Sequence, residues 1–281
     1  MTATHAPPGS GLGTGDPDGL PRPAHRRWRR PTRETMQVAV LRVVLVVVVL
    51  GVWQFLGGLS EHNEFFYSQP TSILKALGNL VTSDNFYVDL RYTMLETVIG
   101  FLIGGVAGIL LGFGLAFSRT AYRVFDPVLN ALNCLPRIAL SSLFILWFGL
   151  GMQSKIALAI SLVFFPLFLN AYKGATTIDP DHTLLMHTFR ASRLEFVRKI
   201  TLPATAPWVI TGAKLGVAQA LGGAIIGEII ASQHGLGAAL NTDAQAFATG
   251  EEFAILLVLI VIAIALNAVF TAAENRTSTW R

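Results

Sequence analysis

The sequence predicts an all-α membrane protein with six transmembrane helices. Charged residues make up only 14% of the 281 residues, against roughly 25% in soluble domains. Apolar residues make up 52%, and the mean hydropathy is +0.55. Several apolar runs reach about 20 residues, the length that an α-helix needs to cross a hydrocarbon core about 30 Å thick. These observations exclude a soluble globular domain and indicate a chain that crosses the membrane several times.

The apolar runs define the predicted spans and the segments between them. The spans lie near residues 37–59, 87–117, 127–150, 154–174, 207–230 and 252–273. Residues 1–36 are rich in Gly, Pro, Thr and Asp up to residue 24, so we expect this segment to be disordered. The external segment 60–86 is predicted to contain a short helix from Pro70, because proline favours the first helical position. The core is predicted to extend over 87–275, with a long loop at 176–207 and a tail at 276–281.

The distribution of Lys and Arg predicts the orientation. A basic cluster at His25–Arg30 precedes the first span, where we expect it to fix topology and contact anionic lipid rather than nucleic acid. Sixteen Lys and Arg residues, Arg137 among them, flank the spans on the side of the N-terminus. On the other side lie only Lys75, Arg91 and Lys155. By the positive-inside rule both termini and the 176–207 loop face the cytoplasm. No small-residue cleavage site follows the first span, so it is expected to be retained.

The sequence offers no catalytic residue and no metal or cofactor site. Cys134 is the single cysteine, which excludes a disulfide framework and a thiolate metal cluster. His182 and His187 lie five positions apart, a poor spacing for metal ligands on a helix, and are expected to be solvated. No Gly-rich loop is followed by Gly-Lys-Ser/Thr, so the chain has no triphosphate site of its own.

Two spans carry glycines at helical spacing. In the second span they recur every four residues, at Gly100, Gly104, Gly108 and Gly112. The fifth span has the same spacing at Gly212 and Gly216. Small residues along one face let helix backbones approach closely in lipid. We interpret these stripes as helix-packing surfaces, which either hold the bundle in one arrangement or slide during transport.

Polar residues within spans are candidates for a translocation path or gate, because they are costly in lipid and usually face a cavity or the bundle interior. The candidates are Glu96, Thr97, Gln219 and Glu228, with Asn130 and Asn133 in the third span. Glu228 is interpreted either as a gate or interhelical hydrogen bond, or as a substrate contact, although a carboxylate would repel an anion. Glu96 either lines the path or pairs with Arg91 one to two turns away.

The 176–207 loop is about thirty residues long, far longer than a simple connection needs. Apolar residues at helical spacing, among them Phe189 and Phe196, predict an amphipathic helical element with one apolar and one basic face. Leu202-Pro203 is predicted to end that element, because proline lacks the backbone donor. A basic amphipathic element on the cytoplasmic side is suited to dock against another molecule.

An ordered series of residues resembles the permease subunit of a bacterial ABC importer, from about Pro70 to the C-terminus. In and after the loop the series is Ala191-Ser192-Arg193, Leu202-Pro203-Ala204, Pro207, Gly212, Glu228 and Gly235-Leu236-Gly237. The branch that imports nitrate, sulfonate, taurine and related small anions is similar at Leu135–Leu140, Leu146–Gly151, Ser154-Lys155-Ile156 and Asn170–Gly174.

The resemblance implies a type I ABC importer permease fold in a bacterial cytoplasmic membrane. It implies ATPase subunits, which bind ATP and Mg and contact the coupling loop at Phe189, Arg190, Ala191, Ser192, Arg193, Leu202 and Pro203. It also implies an external substrate-binding protein and a second permease, expected to be another copy of this chain or else a different permease. The chain itself would be a transport subunit and not an enzyme.

The sequence departs from the family pattern at several positions. Leu184, Leu185 and Met186 stand where the family usually has Glu-Ala-Ala. Arg190 replaces a glycine that suits a turn, so it either bears some strain, continues a helix or donates to a carboxylate of the ATPase. Ser142 stands where this branch often has proline, and a basic residue is common at the position of Glu96.

The alternative is a secondary transporter driven by an ion gradient. Such a protein would favour inverted repeats and an intramembrane acidic ion site. The sequence shows no clear repeat, and the long cytoplasmic element would then have no partner.

Overall fold

The computed structural model describes residues 33–178 and 192–277, and within these ranges all the regular secondary structure is helical. The elements are α1 (Arg33–Gly57), α2 (Glu61–Tyr67), α3 (Pro70–Val81), α4 (Asp84–Ala116), α5 (Arg119–Cys134), α6 (Arg137–Phe148), α7 (Met152–Thr176), α8 (Arg193–Phe196), a π-helical turn (Val197–Thr201), α9 (Leu202–Ala231), α10 (Leu236–Gln245) and α11 (Thr249–Thr277). The expected disorder of the N-terminal segment up to residue 32, the loop residues Phe189, Arg190 and Ala191, and the end of the tail lie outside the described residues.

Five of the helices are long and apolar enough to cross a membrane, and α5 with α6 forms a sixth candidate span bent by 92°. The all-α membrane fold class is therefore confirmed. The third predicted span, 127–150, is divided instead of continuous. Leu135 is extended (φ −65°, ψ 132°) and Pro136 precedes the first turn of α6. The residue before a proline is pushed out of the helical region, which explains the break.

The chain divides into two units, residues 1–49 and 50–281. In the first unit the structure describes the beginning of α1, in which valine and leucine side chains such as Val43 and Leu45 are exposed. The second unit contains the other helices, and α7 is its central element: Ala159, Val163 and Ala171 of α7 are fully buried.

Glycines of α4 and α9 lie against α7 from two sides. A Cβ atom added to Gly108 would come within 2.5 Å of the Phe164 carbonyl oxygen, and one added to Gly223 within 2.8 Å of the Ala159 Cα. The predicted packing glycines are all buried, and each has an atom of α7 within 3 Å of the added Cβ: Gly100, Gly104, Gly108, Gly112, Gly212 and Gly216. Helix backbones are therefore in direct contact along both interfaces.

The predicted helix end at Leu202-Pro203 is wrong. The helical segment runs without a break from α8 through the π-helical turn into α9, with Pro203 in the first turn of α9. A proline inside an α-helix removes one backbone hydrogen bond, and its ring clashes with the carbonyl group four residues earlier. The π-helical turn immediately before Leu202 widens the backbone at this point, so the chain continues as a helix.

The bundle of residues 50–281 has two ends. At the Glu228 end, α4, α7 and α11 begin and α9 finishes. At the opposite Thr201 end, α4 and α7 finish and α9 begins. An apolar cluster of Phe86, Leu236, Ile255 and Leu259 joins α4, α10 and α11 at the Glu228 end.

Candidate functional site

A buried polar cluster connects α4, α9 and the start of α10 at the Glu228 end. Thr93 of α4 donates its hydroxyl hydrogen to Glu228 Oε1 at 2.7 Å, and the Gly237 N–H donates to Glu228 Oε2 at 2.7 Å. The Leu236 N–H donates to Thr93 Oγ1 at 2.9 Å. Thr93 and Glu228 are respectively 0% and 1% exposed. Each side chain thus satisfies the other and also holds the first turn of α10, as buried polar groups require.

Two glycines let the start of α10 approach the carboxylate. Gly235 has φ +114°, in the region that favours glycine, and a Cβ there would overlap the Glu228 carboxyl group. A Cβ on Gly237 would lie 2.6 Å from the Ile225 carbonyl oxygen and 2.9 Å from Glu228 Cβ. The Gly235 N–H also donates to Asp89 Oδ1 at 2.8 Å. The sequence Gly-Leu-Gly is therefore required by close contact as well as by backbone conformation.

Glu96 and Lys155 extend the cluster toward α7, and both are 1% exposed. The Glu96 carboxyl interacts with Glu228 and Lys155, and its Oε2 is buried without a hydrogen-bond partner. The Lys155 ammonium donates to the carbonyl oxygens of Leu150 and Gly151. The expected alternative of a Glu96–Arg91 pair is not what the structure shows, because Glu96 is buried beside Lys155 while Arg91 is exposed.

Two cavities flank the cluster. One, of about 630 Å³, is lined by Glu96 and Lys155 together with Tyr92, Gln233 and His234, and the Tyr92 and His234 rings are stacked at 5.0 Å. The other, of about 620 Å³, includes Asp89, Asp243 and Glu251 in its lining. Burial raises the pKa of Asp243, and the nearby Glu251 and Glu252 carboxylates raise it further. Both cavities therefore have acidic groups in their walls.

The structure brings together some of the predicted path residues and separates others. Glu96 and Glu228 lie in the buried cluster, and Thr97 lies beside them, donating to the Thr93 carbonyl oxygen at 2.7 Å. Gln219 is exposed and lies more than two turns from Glu228 along α9. Sequence reasoning missed Thr93 as a member of the cluster. Lys155 was counted as a flanking charge, although a charged residue one turn inside an apolar span is already expected to be buried.

Arg137 does not lie in a flank, as the charge count assumed. It is the first residue of α6, and its Nη1 donates to the carbonyl oxygen of Ser161 in α7. The guanidinium carbon lies 4.4 Å from the centroid of the Phe165 ring. Nη2 donates to Asn133 Oδ1 at 3.1 Å. The break between α5 and α6 thus places an arginine against the middle of a long apolar helix.

The Thr201 end carries the described part of the predicted coupling loop. Ser192 and Glu195 form a reciprocal capping box: the Glu195 N–H donates to Ser192 Oγ at 3.3 Å, and the Ser192 N–H donates to Glu195 Oε2 at 3.0 Å. Arg193 begins α8 directly after this cap. Leu194, Leu202 and Pro203 are exposed, the first at 75% and the second at 50%. This end therefore presents apolar side chains on a capped, continuous helix.

The chain belongs to the family described as "Binding-protein-dependent transport system inner membrane component", which matches residues 100–276. It is thus a permease component of an ABC importer in the inner membrane. Membership implies a separate ATPase and a binding protein as partners. The resemblance noted in the sequence is confirmed.

Three relatives are named for different solutes. The putative aliphatic sulfonates transport permease protein of Bacillus subtilis is 27% identical over 85% of this chain and 87% of its own length. The formylaminopyrimidine transport permease protein of Halalkalibacterium halodurans is 30% identical over 76% of this chain and 86% of its own. The taurine transport system permease protein of Escherichia coli is 24% identical over 90% and 92%. The family therefore does not by itself determine the solute.

The fold is similar to that of the inward-facing MetNI methionine ABC transporter. The TM-score is 0.55 at 17% identity, and the match covers 78% of this chain and 99% of that one. At this identity the likeness shows the fold alone, and it agrees with the predicted type I importer permease fold.

Proposed function

We propose that this protein is the permease subunit of an ATP-driven importer that moves a small solute with an anionic group, such as a sulfonate, taurine or nitrate, into the cell. The observation that carries the proposal is the family match over residues 100–276, supported by relatives named for aliphatic sulfonates and taurine. The solute class is proposed from the solutes for which these relatives are named.

The Thr201 end faces the cytoplasm in this proposal. The excess of Lys and Arg on that side supports this orientation, as does the exposed apolar surface at Leu194, Leu202 and Pro203. An ATPase subunit docks on that surface and on the neighbouring loop residues Phe189, Arg190, Ala191, Ser192 and Arg193. ATP and Mg bind to the ATPase. The Glu228 end faces outward and receives the binding protein.

Helix α9 connects the two ends. It has 30 residues, so it is about 45 Å long, and the π-helical turn joins it to α8 without a break. A displacement of Leu202 by the ATPase would therefore be carried along α9 to Glu228. Through its bonds to Thr93 and Gly237, Glu228 would move the start of α10 relative to α4. The buried cluster then acts as the outer gate.

The importer is proposed to contain two copies of this permease related by two-fold symmetry, with two ATPase subunits. A second, different permease is the alternative arrangement. Mass measurement of the purified complex distinguishes the two, since a homodimer contains a single permease sequence.

Purification and transport test the function. The tagged permease is expressed with its ATPase and binding protein and reconstituted into vesicles with ATP inside. We expect co-purification with the ATPase, and uptake of at least one of ethanesulfonate, taurine and nitrate when binding protein is added outside. Assembly with uptake of none of these anions overturns the proposed solute class. Purification without any ATPase, together with ion-driven uptake, favours the secondary transporter.

A further inference from the structure

Arg137 is a charged residue held at the middle of a membrane span. Its two partners on α7, Ser161 and Phe165, lie near the centre of a helix that runs from Met152 to Thr176. At 1.5 Å per residue, Ser161 is about 14 Å from the start of that helix and has a similar or greater length of helix on its other side. The guanidinium group is therefore far from either end of the span.

The charge of Arg137 is not neutralised within the described parts of the chain. Among residues 33–178 and 192–277, no carboxylate lies within 4.0 Å of it. Lys214, by contrast, is paired with Glu274. The guanidinium group has five N–H donors, and its contacts with Ser161 and Asn133 account for two of them. Three donors and a full positive charge remain for another group.

Amide side chains lie on α5 just before Arg137, among exposed apolar residues such as Leu132 and Leu135. Asn130 and Asn133 are three residues apart on α5, so they share a face, and both are exposed. Amide groups and an unpaired charge are costly in hydrocarbon, which places this face against water or another polar surface and not against lipid. Pro136 provides no side-chain cap, so the first amides of α6 also direct positive potential toward this point.

We propose that Arg137, together with Asn133 and the first turn of α6, forms an anion-binding site on the translocation path at mid-depth in the membrane. This inference rests on the proposed function, import of a small anion. The planar guanidinium fork matches the oxygen atoms of a sulfonate, nitrate or carboxylate, and two parallel N–H donors bind such a group in one orientation. A positive charge here offsets the cost of an anion crossing the hydrocarbon region, and a single arginine with an amide also lets the anion leave.

The test uses the complete complex in vesicles with Arg137→Gln, Arg137→Lys and the control Arg123→Gln. Arg123 is an exposed arginine of α5, the helix that precedes Arg137, and it lies outside the site. The probes are ethanesulfonate, taurine and nitrate, and both uptake and ATP hydrolysis stimulated by the binding protein are measured. For Arg137→Gln we expect uptake of the imported probe to fall about tenfold or more, because the variant loses one hydrogen bond to a charged group. ATP hydrolysis is expected to stay within about twofold of the wild type. Arg137→Lys, which keeps the charge but not the fork, is expected to lie between, and Arg123→Gln to behave as the wild type.

Each other outcome is decisive. Uptake by Arg137→Gln within about twofold of the wild type overturns the anion site and leaves the proposed function intact. Equal loss of uptake and ATP hydrolysis shows that Arg137 only supports the α5–α6 break, which also overturns it. A wild-type complex that imports none of the three anions overturns the proposed function, and the anion site with it.

Discussion

Thr93 and Glu228 are hydrogen-bonded at 2.7 Å although they lie 135 positions apart in the chain. Thr93 also accepts a hydrogen bond from the Leu236 N–H, so one hydroxyl group joins α4, α9 and the start of α10. This relationship defines the polar cluster that we propose as the outer gate.

Replacement of this hydroxyl tests how strongly the cluster holds the bundle together. Thr93→Val keeps the shape but leaves the Leu236 N–H and one Glu228 oxygen without a partner. We expect a loss of about 1–3 kcal/mol in the free energy of unfolding, measured with the purified protein in nanodiscs. Thr97→Val is the matched control, because among the described residues the Thr97 hydroxyl bonds only to the Thr93 carbonyl of its own helix. Equal losses in the two variants would contradict the role given to Thr93.

The two acidic residues of the cluster are expected to respond differently to neutralisation. Glu228 accepts two hydrogen bonds, whereas Glu96 Oε2 accepts none and lies beside a second carboxyl group. Glu96→Gln should therefore leave the thermal midpoint nearly unchanged, because the amide can still donate a hydrogen bond to Glu228, as the Glu96 carboxyl does. Glu228→Gln should lower the midpoint, because an amide cannot accept at both positions. The reverse order of the two midpoints would show that Glu96 is the structural member of the pair.

Adjacent glycines of α9 provide a test of the close packing on α7. A methyl group at Gly223 would lie 2.8 Å from Ala159 Cα, whereas nothing lies within 4 Å of one at Gly222. Gly223→Ala is expected to destabilise the protein by about 1–3 kcal/mol through overpacking. Gly222→Ala is expected to be neutral or to stabilise by up to about 1 kcal/mol, because alanine favours a helix. Similar midpoints for the two variants in a thermal unfolding assay would contradict the contact.

The exposed apolar residues at the start of α9 test the proposed coupling surface. Leu202→Asp or Pro203→Asp should uncouple ATP hydrolysis from uptake while the permease remains in the membrane, because a carboxylate would have to be desolvated on docking. Leu202→Ala is the control, since it shortens the side chain without adding a charge. Unchanged uptake in both aspartate variants would argue that the ATPase docks elsewhere.

The acidic cavity predicts a pH effect at Asp243. Because burial and Glu251 raise its pKa in the folded protein above the ordinary value of 3.8, the folded state holds a proton over a range in which the unfolded chain has lost it. The contribution of Asp243 to the free energy of unfolding therefore falls as the pH rises through that range. At pH values above that range, Asp243→Asn should be more stable than the wild type. Below pH 3.8 the two proteins should be equally stable. A difference independent of pH, in thermal midpoints measured across this range, would exclude titration of Asp243 as the cause.

The fold class was predictable because long apolar runs leave few alternatives in a membrane. The predicted spans correspond to five helices and one bent pair. Hydropathy reports the length of an apolar segment but does not show whether the helix bends within it. The break at Leu135-Pro136 and the continuity through Pro203 were not predictable from hydropathy. Both depend on how the backbone adapts at a proline: it bends at one and forms a π-helical turn before the other.

The candidate site was only partly predictable. An acidic residue within a span is conspicuous, so Glu96 and Glu228 were identified. Thr93 was missed because a threonine near the end of a span is ordinary in composition and its role depends on a partner 135 residues away. Arg137 was counted with the flanking charges although position 137 lies inside the predicted span 127–150, and its contacts with α7 depend on the break at Leu135-Pro136. In each case the role of the residue depends on contacts with a helix that is distant in the sequence.

Uptake of labelled ethanesulfonate, taurine and nitrate by vesicles that contain the permease and its ATPase is the most direct test of ATP-driven import. ATP inside and binding protein outside are varied independently, and an ion gradient is imposed in parallel vesicles without ATP. ATP-driven import predicts accumulation only when both ATP and binding protein are present, with no response to the gradient. Accumulation driven by the gradient in the absence of ATP would contradict it.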